Sequence, residues 1–159
     1  MTPALLLQTL RTGLAAWAQT HRAALSIASD AWNALELLAS GPASLRIILR
    51  WDGDSQDADQ DAGIVKHKIA VIVSGARALL AQQGQHLVDG SAATGKPLYE
   101  SVSAVRAVVR SLEFPGGITS GALRYAGCQP FTTPEGVPID AYELLFEIDA
   151  SIPIEQEPS

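Results

Sequence analysis

The sequence predicts an α+β fold: a four-stranded, mostly antiparallel sheet with helices packed on one face, in the order helix-β-β-helix-β-β. Three observations carry that expectation. Tyr142, Leu144, Phe146, Ile148, Ala150 and Ile152 alternate with Glu143, Leu145, Glu147, Asp149 and Ser151, the period of a half-buried strand. Leu98, Val102, Val105, Val109 and Leu112 recur at helical spacing, while Glu100, Ser103, Arg106 and Arg110 fall on the other side. At 159 residues the chain is the size of one domain and buries about 70% of its unfolded surface, so it needs no staple.

From Pro3 to Ala39 the chain reads as helix in two pieces. Leu6, Leu10, Leu14 and Trp17 form the apolar stripe of the first. Ser29 or Asp30 caps the second, which runs through Trp32, Leu35 and Leu38 to a stop at Gly41-Pro42. Between them, His21 to Ala28 fits helix, loop or a short strand. Leu45 to Trp51 then alternates, with Leu45, Ile47, Leu49 and Trp51 facing one way and Arg46, Ile48 and Arg50 the other. A mobile acidic loop over 52–61 follows, and strand character returns at Ile64 to Ser74, with Val65, His67, Ile69, Val71 and Val73 on one face. The two strands form an antiparallel hairpin with a long acidic tip.

Ala76 to Gln83 reads as a short helix and Gly84 to Pro97 as a loop of small residues. Pro97 suits the first turn of the helix Leu98 to Leu112, and Pro115-Gly116-Gly117 ends it. Leu123, Tyr125 and Gly127 alternate with Arg124 and Ala126, and the turn-rich stretch 132–138 leads into the last strand. The organisation is a helical segment over 1–43 packed on an α+β core over 44–152, with a frayed polar tail over 153–159. No internal repeat is visible.

The chain is 47% hydrophobic and only 18% charged, with a net charge of −6. A thin supply of charge leans towards a protein that buries part of its surface in an assembly. Proteins that track phosphates need clustered Lys and Arg, so this balance argues against nucleic-acid binding. Cys128 is the sole cysteine, which excludes an intrachain disulfide and a cysteine zinc site. Gln8, Arg11 and Gln19 interrupt any signal-peptide core, and no apolar run approaches the roughly 20 residues of a membrane span. These features point to a reducing cytoplasm, or to a particle assembled there.

Motifs that promise chemistry are each incomplete. Gly90-Ser91-Ala92-Ala93-Thr94-Gly95-Lys96 matches the start of a phosphate-binding loop, but Pro97 stands where a hydroxyl should hold magnesium. Asp57, Asp59 and Asp61 imitate a calcium loop that lacks its glycine (Ala62) and its closing glutamate (Lys68). His21, His67 and His86 lie in separate segments, and Cys128 has no His or basic cluster beside it in sequence. Ser74-Gly75 and Ser120-Gly121 lack the flanks of a nucleophile elbow. Glu143, Glu147 and Asp149 share one face of the last strand, which reads as a solvent or interface face. Trp17, Trp32 and Trp51 read as core or interface anchors. The expectation is no enzyme, and no catalytic, cofactor or metal residue.

The strands Leu45–Trp51 and Lys66–Ser74, the helix Leu98–Leu112 and the closing pair Ala122–Cys128 and Ala141–Ile152 together resemble phage tail-terminator proteins. Tyr142-Glu143-Leu144-Leu145-Phe146-Glu147-Ile148 is similar to the final strand of that group and of its neck and tail-completion relatives. The resemblance covers residues 44–152 and is one of pattern rather than of a diagnostic motif. It implies a subunit of a hexameric ring that caps the tail tube, contacts tail-tube and head–tail connector proteins, and lets DNA pass through its lumen. It also implies a virion location at the head–tail junction after assembly in the host cytoplasm. On this reading Asp52, Asp54, Asp57, Asp59 and Asp61 belong to a loop facing the lumen or a neighbouring ring, and an acidic channel does not retain DNA. A neck or head–tail connector protein, a small nucleotide-binding enzyme using Gly90–Lys96, and a cytoplasmic adaptor that stays a monomer or dimer are the alternatives.

Overall fold

Eight elements follow one another in the computed structural model, which describes residues 1–40, 45–56, 63–76, 98–114, 122–133 and 139–151. They are helix α1 (Pro3–Thr20), strand β1 (Ala24–Ala28), helix α2 (Ala31–Ala39), strands β2 (Leu45–Ser55) and β3 (Ile64–Ala76), helix α3 (Leu98–Ser111), and strands β4 (Arg124–Pro130) and β5 (Ile139–Ser151). The class is α+β, as expected. The count and order of strands are not, because one sheet of five strands runs β1-β2-β3-β5-β4. The expected helix-β-β-helix-β-β order gains a strand and a helix boundary at its start.

The extra strand comes from the ambiguous stretch after α1. Thr2 caps that helix, accepting from the Leu5 amide at 3.2 Å, and Pro3 opens it, where a missing N–H costs nothing. At its other end Arg22 adopts φ +53°, and the Ala23 amide reaches back to the Ala18 carbonyl at 2.8 Å. This is a left-handed helix stop made without glycine, and it turns the chain sharply into β1. β1 then pairs in parallel with β2, Ala24 opposite Arg46 and Ala28 opposite Arg50. Parallel neighbours need a crossover, and α2 supplies it. Asp30 caps α2, accepting from the Asn33 amide at 2.7 Å, an interaction that stabilises a helix by about 1 kcal/mol.

The other three pairings are antiparallel. β3 and β5 form the centre, in continuous register from Ile64 opposite Ser151 to Ala76 opposite Ile139. In β4 the pairing slips between Tyr125 and Gly127, so Ala126 is the extra residue of a bulge. Gly127 sits there at φ +155° and takes the face opposite to that predicted by simple alternation.

Helices cover both faces of the sheet, which corrects the expectation of one. On the first face, α1 and α3 bury Leu6, Leu10, Leu14, Val102, Val105 and Val109 against Ile47, Leu49, Ile69, Val71, Val73, Leu144 and Phe146. Burying each such side chain fully contributes about 1.5–3 kcal/mol. On the second face α2 sets Ala34 and Leu38 against Ala28, Ile48, Ile72 and Ala141, a much smaller cluster. The crossover forces this split: α2 connects two parallel strands and packs on the face that α1 leaves open. Gly13 on α1 faces Leu112, the residue just past α3, whose side-chain end lies 2.5 Å from where a β-carbon would stand and would have to shift to admit one.

Candidate functional site

The acidic hairpin was the residue set singled out by sequence. Asp52 and Asp54 lie within β2, so the strand continues through residues expected to open a loop. A register shift between Trp51 and Asp54 carries it on, with Gly53 at φ +93° making the irregularity possible. Asp52 does not project as a free carboxylate. It turns back to Arg50, accepting from Nε and, at 3.0 Å, from Nη2. Asp57, Asp59 and Asp61 lie outside the described residues, as do Gly90–Lys96, His86 and Ser120–Gly121.

Beyond the edge of α2, the second face of the sheet carries a polar network. Arg50 also donates through Nη2 to Glu143 Oε2 at 2.9 Å, and Gln129 Nε2 donates to Glu143 Oε1 at 2.9 Å. Three strands are thereby joined across β3, where Ala70 stands opposite Arg50 in the register. Arg50 and Glu143 are nine-tenths buried. The Asp52 hydrogen bond holds the guanidinium charge most strongly, ahead of the opposing cost of burial, and Glu143 adds to it. Arg50 Nη1 has no partner. Both Glu143 oxygens accept a hydrogen bond from another strand. The arrangement clamps β2, β5 and β4 to one another.

Further along the same face, Arg124 donates to Glu147 at 2.5 Å at the margin of a cleft of about 410 Å³ lined by Arg110, Arg124, Glu147 and Asp149. Two cations and two anions balance there, and the buried Asp149 Oδ1 has no hydrogen-bond partner. Arg46 and Arg50 on the predicted polar face of β2, set against Glu143 and Glu147 on that of β5, were the sequence signal for charge pairing across this face.

The remaining candidates resolve individually. His67 is buried on the first face and accepts through Nδ1 from Trp51 Nε1 at 3.2 Å, with its Nε2 buried and unpartnered. Burial holds its pKa below the ordinary histidine range, with Asp54 opposing. His21 stacks on Trp17 with ring centroids 4.1 Å apart. The Cys128 thiol on β4 is exposed at the surface; partial burial nevertheless pushes its pKa up, against a smaller opposite pull from Arg106, so thiolate is disfavoured. Ser74 is buried within β3 and flanks no nucleophile turn. Tyr142 is pushed up to about 12 by the hydroxyl of Tyr99 at 3.1 Å. Among the described residues no three His, Cys, Asp or Glu side chains are grouped to hold a metal ion, and no helix is long and apolar enough to cross a membrane.

What the described surface offers instead is apolar and unevenly distributed. Trp17 and Trp51 pack against the larger core, but Trp32 is 68% exposed on α2, where its Nε1 donates to Glu36 Oε1 at 2.8 Å. Trp32 and Glu36 lie on the side of α2 opposite the buried Ala34 and Leu38. On the far side of the sheet, α1 has Arg11 as its one charged residue and exposes Leu5 by 39%. Between α1 and the end of α3 runs an apolar groove of about 440 Å³, lined by Leu5, Gln8, Thr9, Thr12, Gly13 and Leu112.

No family model and none of the curated proteins matches the chain. Among solved structures it is similar to the catalytic domain of the histidine kinase ThkA, at 9% identity over 95% of this chain and 93% of that one, with a TM-score of 0.28.

Proposed function

We propose that this chain is a structural subunit of a phage tail, one copy of a ring that caps the tail tube and helps to join it to the head. The observation that carries the reading is the pair of unlike apolar surfaces on opposite faces of the sheet, Trp32 on α2 and the nearly charge-free outer side of α1. Unlike surfaces on one chain favour head-to-tail contacts, and head-to-tail contacts that close make rings. The acidic net charge of −6 suits a lumen through which DNA moves without adhering. The clamp of Arg50, Glu143 and Gln129 supports a structural role, since it ties three strands together and stiffens the sheet. The pattern of strands and the helix over 44–152 that resembles tail terminators supplies the phage context.

Native mass spectrometry with negative-stain imaging, alone and with purified tail tubes, tests the reading. Rings of six copies of the 16.7 kDa chain, about 100 kDa, seated at one end of the tubes are expected. A chain that forms no ring by itself and does not bind tube ends overturns it. ATP and magnesium are expected to leave its melting temperature unchanged; a rise would revive a nucleotide-binding enzyme.

A further inference from the structure

We infer that His67 is a pH-operated latch on the outer end of the β2–β3 hairpin: its neutral ring holds Trp51 against the first-face core, and its protonated ring lets Trp51 go and turns to Asp54. The latch is a property of one chain and stands whether or not copies form a ring. The outer end that it controls is lightly held. β1 pairs with β2 only as far as Arg50, so residues 51–55 have β3 as their one neighbouring strand among the described residues. The register shifts between Trp51 and Asp54, where Gly53 takes φ +93°. This end can therefore turn on the irregularity without disturbing the inner pairs of residues 45–50. β3 itself stays in place, because β5 pairs with it from Ile64 to Ala76.

The chemistry at His67 makes this tie conditional on charge. The residue is 3% exposed, and its Nδ1 accepts from Trp51 Nε1 at 3.2 Å. An indole N–H only donates, so the neutral ring carries its hydrogen on Nε2, and that N–H is buried without a partner. Nδ1 is thus the one place for an incoming proton, and a proton there faces the indole hydrogen, donor against donor. A buried charged ring with no acceptor on either nitrogen is costly, so ring and indole separate. Asp54, exposed on β2 and opposite His67 in the register, supplies the carboxylate to which the charged ring donates. Two charges act on the ring: this carboxylate favours its protonation, and the Met1 amino group, just before α1, opposes it. α3 adds no charge that acts on it, and the residue opposite on β5 is the apolar Ile148. Lys66 and Lys68 flank His67 on β3 and take the other face by alternation.

Nitrogen-15 NMR of the full chain from pH 8 to 5 tests the latch. It follows the His67 ring, the Trp51 indole N–H and the backbone amides, with hydrogen exchange normalised to the intrinsic rate at each pH. Below the ordinary histidine value of 6.5, each unit of pH shifts a proton-linked opening by up to about 10-fold. Protection of the Trp51 indole N–H is expected to fall by about 10-fold or more by pH 5, in step with the titration of His67. The amides of Val71 and Leu144 are expected to keep theirs, since the opening is local. An indole signal that stays constant across the range overturns the latch. Equal loss of protection at Val71 and Leu144 also overturns it, because the whole domain then unfolds together. His67→Gln, whose amide oxygen accepts but takes no proton, is expected to abolish the step, and a step that persists overturns the assignment to His67. Asp54 is exposed, so Asp54→Asn is expected to fold as the wild type does and to move the step to lower pH. A step that does not move overturns Asp54 as the receiving carboxylate.

Discussion

The two faces of the sheet are held by different physics. Under α1 and α3 lies a continuous apolar layer in which Leu6, Leu10, Leu14, Ile47, Leu49, Val71 and Leu144 are wholly buried. Under and beyond α2 the apolar cluster is small, and Arg50, Glu143 and Gln129 take over where it ends. Hydrophobic burial is non-directional and tolerant, whereas an ion pair demands geometry and gives little net stability. The first face therefore supplies most of the stability. The second fixes how β2, β5 and β4 sit relative to one another, and so how the molecule presents its surfaces.

Removing a large side chain from the first face should have the greatest effect. Phe146→Ala is expected to cost about 3–5 kcal/mol in urea unfolding, the range for a truncated core aromatic. A cost no greater than that of Ile72→Ala on the second face would break the comparison. Glu143→Ala should cost less, about 2 kcal/mol, the range for losing a hydrogen bond to a charged group, because Asp52 still accompanies Arg50. The double change Arg50→Met with Glu143→Leu is expected to recover most of that loss, since apolar replacements of a buried ion pair are often neutral or better.

His67 adds a dependence on pH to the first face alone. The unfolded chain binds this proton near the ordinary value of 6.5, and the folded chain binds it more weakly because the ring is buried. Stability from this group is thus full above about 6.5 and falls as the pH drops towards the folded value. Protonation would also place a hydrogen on Nδ1, which now accepts from Trp51. Unfolding midpoints measured from pH 8 to 5 should slope downwards, and His67→Gln should flatten the slope; an unchanged slope assigns it to other groups. The smallest effect belongs to the rim of the second face. Arg124 is 61% exposed, so Arg124→Ala should change stability by less than about 0.5 kcal/mol, and a larger loss would make that rim part of the core.

Long periodic elements were legible in the sequence because each carries its own burial pattern. β5, α3 and the stripe Leu6, Leu10, Leu14 are found where alternation and helical spacing put them. β1 was not legible, since Ala24-Leu25-Ser26-Ile27-Ala28 is too short to set a period, and what makes it a strand is its parallel neighbour 22 positions on. Arg22 hid the end of α1, because the left-handed stop usually announces itself with glycine. The second layer of helix followed from the same gap: without β1 there is no crossover, and without a crossover α2 has no reason to change faces. Trp32 read as one of the chain's anchors, and only the packing of Ala34 and Leu38 turns it outwards. Arg50 and Glu143 each stood on a predicted polar face, but 93 positions separate them, and no local pattern records that they meet.

The central pairing of β3 with β5 also sets a timetable for synthesis. Residues 77–138 must leave the ribosome between the two strands, which at about 5–20 residues per second takes seconds. Through that interval β3 offers one edge, from Ile64 to Ala76, to any strand nearby. A nascent chain, or a product truncated before residue 139, therefore carries an open apolar template. Refolding yield should depend on concentration more steeply than native stability does, and co-translational chaperoning should matter most in the stretch just before β5 emerges.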